Sequence, residues 1–305
     1  MIEMRLRTRV SDAGMKNLAG KVLGQKDYDV LLTGNSRVLM PNGKPLCVYR
    51  PGAMKTYSQD EEVYNILHSI KATSQNRGLA SGTRRVKRGE QALRTDSKPI
   101  ISAVIGAVDP MGQQRYCRQT VWTGKNLPQW ERLRPMLREV ARNLEECVPE
   151  RFAAQKAVAD LTHPEWVVPG TPFSTVTVNQ SYPTGVHTDK GDLDDGFSTL
   201  VCLRRGNYTG GQLVFPQYRV AVDMQDGDLL MMDAHQWHGN VVLICECGTR
   251  MDRPCRTCGA NRVSCVNYYR TKLQSCGTES EEYAKAAAQA ERRSGFSTPE
   301  TEEPA

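Results

Sequence analysis

The sequence predicts a mainly β protein, an antiparallel sandwich or barrel decorated by N-terminal helices. Three observations carry this expectation. From Thr171 onward the chain breaks into short β-type segments at close, fairly regular spacing. Between Pro128 and Thr162 the apolar residues recur instead at helical spacing. No self-similarity at a period of about 20–50 residues is present, which excludes a solenoid.

Taken in order, residues 28–50 read as a hairpin-rich segment with two short pairing strands, interrupted by the turns Gly34-Asn35-Ser36 and Pro41-Asn42-Gly43-Lys44. Ser58 with Glu61 makes a capping box before Val63, Ile66, Leu67 and Ile70, a helical apolar stripe. The apolar run Ile100 to Val108 is a strand. Trp130, Leu133, Leu137, Val140 and Leu144, then Phe152, Val158 and Leu161, mark scaffold helices, with Pro135 and Pro149 as breaks or starts. The β segments after Thr171 are Phe173 to Val178, Phe197 to Leu203, Gln212 to Phe215, Arg219 to Val222, Asp228 to Met232 and Arg262 to Tyr269. We read residues 1–277 as one domain, with N-terminal strands and helices over 1–170 and a β core over 171–277.

The chain has 305 residues, 39% of them hydrophobic and 24% charged, an ordinary globular composition that excludes wholesale disorder. No stretch approaches the roughly 20 apolar residues of a membrane helix, and Met1-Ile2-Glu3-Met4-Arg5 has no apolar signal core, so no membrane partner and a cytoplasmic, reducing home are expected. The ten cysteines are accordingly expected not to pair as disulfides. The net charge of +6 is unevenly spread. Eight bases face two acids between Lys71 and Lys98, a mobile basic loop suited to phosphate contacts or simply to solvation. Residues 278–305 hold seven acids and three bases and are expected to be an acidic, partly disordered tail that opens with a frayed helix.

The chemistry concentrates in the β-rich part. In His187-Thr188-Asp189, residues i and i+2 of an extended segment present an imidazole and a carboxylate to one point, as a facial metal site requires. The apolar strand Asp228 to Met232 is followed by His235 and His238, either of which can complete a two-histidine, one-carboxylate set with open positions on iron. Arg262 then begins a largely apolar strand. Its planar fork suits a carboxylate, and Ser264, two residues on, shares its face.

The order His-x-Asp, a strand-terminal histidine, then Arg-x-Ser resembles the Fe(II)/2-oxoglutarate dioxygenase superfamily. Gly170 to Asn179, His187 to Asp192, Tyr208-Thr209-Gly210-Gly211 and His238-Gly239-Asn240 are similar to its TET/JBP branch, phage and bacterial members included, over residues 28–273. That resemblance implies a double-stranded β-helix (jelly roll, cupin-like) core, Fe(II) and 2-oxoglutarate as cofactors, and oxidation of 5-methyl groups of pyrimidines in DNA. His187, Asp189 and His238 would hold the iron, with His235 as a rival to His238. Arg262 would pair with the distal carboxylate of 2-oxoglutarate, Ser264 assisting. The compartment would be a bacterial or phage-infected cytoplasm, or a nucleus in a eukaryote.

A base inside a duplex cannot enter such a pocket, so a nucleotide that is flipped out or already single-stranded is expected, with Tyr182, Tyr208 or Trp237 as candidate stacking partners. Asp192 can accept from the exocyclic amine of cytosine, which leans toward 5-methylcytosine, and Asn179 can read either pyrimidine. Thymine, another methylated base, RNA or protein are the alternative substrates. A catalytically idle nucleic-acid binder is the alternative class. Between the histidines and Arg262 lie Cys245-x-Cys247 and Cys255-x-x-Cys258, two close thiol pairs in an insert over 245–258 that suit tetrahedral Zn²⁺. Cys47, Cys117, Cys147, Cys202, Cys265 and Cys276 read as small buried hydrophobes.

Overall fold

A computed structural model of the protein describes residues 1–71, 80 and 102–294. Most of the basic run between Lys71 and Lys98 and the end of the acidic tail lie outside the described residues. The N-terminal part contributes strands β1 (Ile2–Arg5), β2 (Val30–Leu32), β3 (Ser36–Leu39), β4 (Pro45–Arg50), β5 (Ser102–Val108) and β6 (Arg118–Gln119). The β-rich part adds β7 (Thr175–Gln180), β8 (Ser198–Arg205), β9 (Tyr208–Gly210), β10 (Leu213–Phe215), β11 (Val220–Val222) and β12 (Asp228–Met232). After it come β13 (Gly239–Asn240), β14 (Leu243–Cys245), β15 (Arg250–Met251) and β16 (Asn261–Tyr268). The helices are α1 (Asp12–Leu18), α2 (Lys55–Ser58), α3 (Glu61–Ser69), α4 (Val121–Lys125), α5 (Leu127–Cys147), α6 (Pro149–Leu161) and α7 (Glu279–Ser294).

A nine-stranded sheet in the order β1-β3-β4-β12-β8-β16-β7-β5-β6 faces a four-stranded sheet, β13-β10-β11-β2. This is the jelly roll that the sequence implied. Its central strands are buried on both faces, and the period of two sorts their side chains. Leu229 and Met231 of β12, Val201 and Leu203 of β8, and Val263 and Cys265 of β16 pack beneath Val63 and Leu67 of α3 and Leu133, Leu137 and Val140 of α5. The alternate residues Leu230, Met232, Leu200 and Cys202 meet Leu213, Phe215, Val220 and Val222 of the smaller sheet. Among the described residues no helix is long and apolar enough to cross a membrane.

Several local expectations are corrected. In the 28–50 segment β3 pairs with β4, but β2 leaves to pair in parallel with β11, Leu32 opposite Val222, and so buries Leu32 between the sheets. The cap of α3 is Asp60, whose carboxylate accepts from the N–H groups of Glu62 and Val63; the Ser58 hydroxyl is drawn away to donate to Asp226. Pro135 breaks nothing. It lies inside α5, where the stripe from Trp130 to Leu144 packs on one sheet face and outweighs the roughly 3 kcal/mol that an internal proline costs.

Cys117 and Cys276 form a disulfide between residues 159 apart in sequence, against the reading of both as unpaired hydrophobes. The bond departs from the expectation that none of the ten cysteines pairs. Beside it the first turns of α7 are anchored. Glu282 is 1% exposed, and its carboxylate accepts from the N–H groups of Cys117 and Gly277. The helix at the start of the acidic tail is therefore docked where sequence reading had it fray. Glu282→Ala leaves those two N–H groups without their acceptor and is expected to cost about 2–4 kcal/mol in urea unfolding, with faster proteolysis within 279–294 than in the parent protein.

Candidate active site

Alternation along five strands delivers one set of side chains to one cavity. Arg262, Ser264, Val266 and Tyr268 of β16 point away from the helix-packed Val263 and Cys265, and Thr177 and Asn179 of β7 do the same beside them. Asn179 stands directly opposite Ser264 in the sheet. Leu200, Leu213 and Met232 supply apolar wall. The cavity has a volume of about 110 Å³.

At one side His187 and His238 face each other across an antiparallel bridge, each N–H donating to the other's carbonyl at 2.9 Å. Gly239 permits this approach, because a Cβ there would lie 3.1 Å from the backbone of Val186. The imidazole centroids are 4.3 Å apart. His187 Nδ1 contacts the Gly185 carbonyl at 2.8 Å and His238 Nδ1 the Gln236 carbonyl at 2.9 Å. A carbonyl only accepts, so each Nδ1 carries the proton and each Nε2 keeps its lone pair. The two Nε2 atoms lie 3.5 and 3.8 Å from the two oxygens of Asp189, and the three donor atoms fall within 4.8 Å of one another. Burial, with repulsion from His187 added, pushes His238 down to about 4, which keeps its ring neutral at physiological pH. This is a facial two-imidazole, one-carboxylate set of the kind that suits ferrous iron.

His235 is not part of it. Its Nδ1 lies 3.2 Å from Asp233 and its Nε2 3.5 Å from Asp194, and the hydrogen bond with Asp233 raises its pKa.

Arg262 is 6% exposed. One guanidinium nitrogen donates to the Gly211 carbonyl at 2.5 Å, while Nε has no hydrogen-bond partner. Its near neighbours are the Cys202 thiol and the Tyr208 phenol, both held neutral chiefly by burial, and no carboxylate forms an ion pair with it among the described residues. A buried cation without an anion is costly. The cavity side of Arg262 is thus ready for a ligand carboxylate, and Ser264, 9% exposed, lies on the same face.

Asp192, also in the cavity wall, accepts from the Ser198 hydroxyl at 2.9 Å. Burial, reinforced by the charge of Asp189, raises it to about 7. Of the three aromatics, Tyr182 lines the cavity and its hydroxyl donates to the Ala80 carbonyl. Tyr208 is buried beside Arg262, and Trp237 packs with the cluster around Met15 and Leu23. Sequence reading missed Tyr268, Asn240 and Arg270, all cavity-lining. Tyr268 was accessible by extending the two-residue period from Arg262; Arg270, held by Asp109 at 2.6 Å, gave no signal. Cys245, Cys247, Cys255 and Cys258 form a separate cluster, their sulfurs within 4.8 Å of one another.

Residues 109–271 match the family model Tet_JBP, described as the oxygenase domain of the 2OGFeDO superfamily. The chain is 33% identical over 191 residues to "Thymine dioxygenase JBP1" of Crithidia fasciculata, covering 62% of this chain and 22% of that protein. It is 34% identical over 183 residues to the protein of the same name from Trypanosoma brucei brucei, covering 58% and 20%. It therefore spans about a fifth of the length of these relatives. Among solved structures, "NgTET1 in complex with 5mC DNA" superposes with a TM-score of 0.55 at 14% identity, covering 85% of this chain and 86% of that one. At that identity the likeness is one of fold.

The geometry separates the three histidines experimentally. His187→Ala and His238→Ala are each expected to weaken Fe(II) or Mn(II) binding, measured by calorimetry under argon, by about 10²-fold or more, whereas His235→Ala leaves it within about twofold of the parent.

Proposed function

The chain belongs to the Tet_JBP family of 2OGFeDO-superfamily oxygenases, and on that premise we propose that it oxidises the 5-methyl group of a pyrimidine in DNA, using Fe(II) and 2-oxoglutarate. The observation that carries this reading is the pairing, in one cavity, of a facial two-histidine, one-carboxylate donor set with a buried arginine that forms no ion pair among the described residues. His187, Asp189 and His238 would hold the metal. Arg262 would take the distal carboxylate of 2-oxoglutarate, with the Ser264 hydroxyl donating beside it. A catalytically idle nucleic-acid binder would have no use for either arrangement.

Each residue's part follows from its surroundings. The Gly185 and Gln236 carbonyls fix the tautomers of the two histidines, so both present a lone pair without reorganisation. Leu200, Leu213, Met232 and Val266 keep the cavity wall dry. Bound iron and 2-oxoglutarate would supply the oxidising chemistry, with 2-oxoglutarate losing CO₂ to become succinate while one oxygen atom of O₂ goes to the succinate and the other to the methyl group. To reach the recessed donor set, the target nucleotide would leave the base stack or already be single-stranded. Tyr182 and Asn179, both in the cavity wall, would meet the extruded base.

Asp192 would read position 4 of that base. Ionised, it accepts from the exocyclic amine of 5-methylcytosine; protonated, it can donate to O4 of thymine. A carboxyl raised to about 7 by burial and Asp189 has access to both forms. This keeps 5-methylcytosine as the proposed substrate and favours thymine as the second reading, the substrate named in the titles of the two relatives. The sign follows from the shift: as pH rises through the titration, the ionised form gains and the cytosine-type substrate is favoured.

Mass spectrometry of nucleosides from DNA incubated with the protein, Fe(II) and 2-oxoglutarate tests the reading. A 5-hydroxymethylpyrimidine with matching succinate is expected, and absence of both from 5-methylcytosine and thymine substrates alike rejects it. The ratio of 5-methylcytosine to thymine oxidation is expected to rise with pH as the buried Asp192 carboxyl ionises, and Asp192→Asn flattens that rise. Arg262→Leu is expected to raise the KM for 2-oxoglutarate by about 10²-fold.

A further inference from the structure

The cysteine insert forms a cluster separate from the metal donors of the cavity, yet it adjoins Tyr208, a neighbour of Arg262. Its four thiols are free. Sγ of Cys245 lies 2.9 Å from Cys247 and 3.6 Å from Cys255, and Sγ of Cys247 lies 3.6 Å from Cys255 and 3.9 Å from Cys258. Four sulfurs arranged about one point, not as two separated pairs, approach the roughly 3.8 Å edge of a tetrahedron with Zn–S bonds of about 2.3 Å. The hydrophobic support is small: Tyr208, Leu243, Cys245, Met251 and Ala260 are its buried members. So small a core needs a staple to hold its shape.

We propose that Cys245, Cys247, Cys255 and Cys258 bind one Zn²⁺, and that this ion positions the wall against which Arg262 is held. Cys245 ends β14, which pairs with β9 so that Cys245 faces Tyr208 and Leu243 faces Gly210. The chain then turns through Gly210 and Gly211, both at positive φ, where a Cβ would lie 1.8 Å from the Val242 carbonyl and 3.0 Å from the Arg262 guanidinium respectively. Gly211 supplies the carbonyl that accepts from Arg262. From the other side, Cys258 leads through Gly259 and Ala260 directly into β16, four residues before Arg262. The ion would tie together the strand that carries the arginine and the β9–β14 strand pair that leads to its backbone partner Gly211. Arg262, not the cysteines, touches the ligand; the cysteines act through it.

The consequence for 2-oxoglutarate rests on the reading of Arg262 above, but the zinc itself does not. The test is elemental analysis of the full chain produced with zinc and iron in the medium. One zinc per chain is expected, retained in His187→Ala and released when the thiols are titrated with an organomercurial. Cys255→Ser and Cys247→Ser are expected to lose zinc, keep Fe(II) affinity within about twofold and raise the KM for 2-oxoglutarate about tenfold. Iron or no metal at these thiols in the parent protein overturns the site. Zinc release that leaves the KM unchanged overturns the positioning role. Should Arg262→Leu leave the KM unchanged while zinc is present at one per chain, the arginine's assignment fails and the zinc site stands. If the serine variants do not fold, organomercurial release from the folded parent protein gives the same reading.

Discussion

The register of β16 between β7 and β8 is the constraint on which the site depends. Val263 and Cys265 lie under the helices, and that burial forces Arg262, Ser264, Val266 and Tyr268 into the cavity. Pairing of Ser264 with Asn179 on one side and Cys202 on the other fixes the alignment. A slip of one residue would exchange the two faces, placing a guanidinium among Leu133 and Leu137 and two apolar side chains in the pocket. The apolar residues are therefore what aim the polar ones.

The same division of labour holds at the metal donors. His187 and His238 are joined through their backbones, and each ring is turned by a carbonyl two residues before it in its own chain segment. The donors are set before any ligand arrives. Arg262 differs, since its burial is only partly compensated by Gly211. A protein selected for stability alone would gain by replacing it with an apolar residue of similar volume. Retaining it makes sense where a ligand carboxylate completes the pair, and the cost in the unliganded protein becomes affinity for that ligand.

Much of this was legible in the sequence because strands buried on both faces read as short apolar runs. Asp228 to Met232 was bounded to the residue, and the other core strands within a few residues at each end. The donor set was legible because His-x-Asp lies on extended chain, where the period of two is simple. What escaped depended on partners distant in sequence. Nothing near Cys117 announces Cys276, and nothing in an acidic, alanine-rich stretch distinguishes Glu282, whose acceptor role is defined by an N–H group 165 residues earlier. The sequence pointed to Ser58 as a cap, but Asp226, distant in sequence, takes its hydroxyl and Asp60 caps α3 instead. Spacing alone left His235 beside His238 as a donor; the decision lies in which backbone carbonyl and which carboxylate each ring meets.

The central claim is that one cavity holds both a metal site, set by the bridge between His187 and His238, and a carboxylate site, set by β16. A crystal structure of the protein with Mn(II) and 2-oxoglutarate under anaerobic conditions tests it most directly. The account predicts the ion on His187 Nε2, Asp189 and His238 Nε2, with the far carboxylate of the diacid against Arg262 and Ser264. An ion held by His235 and Asp233, or a diacid bound with Arg262 left unpaired, would contradict it.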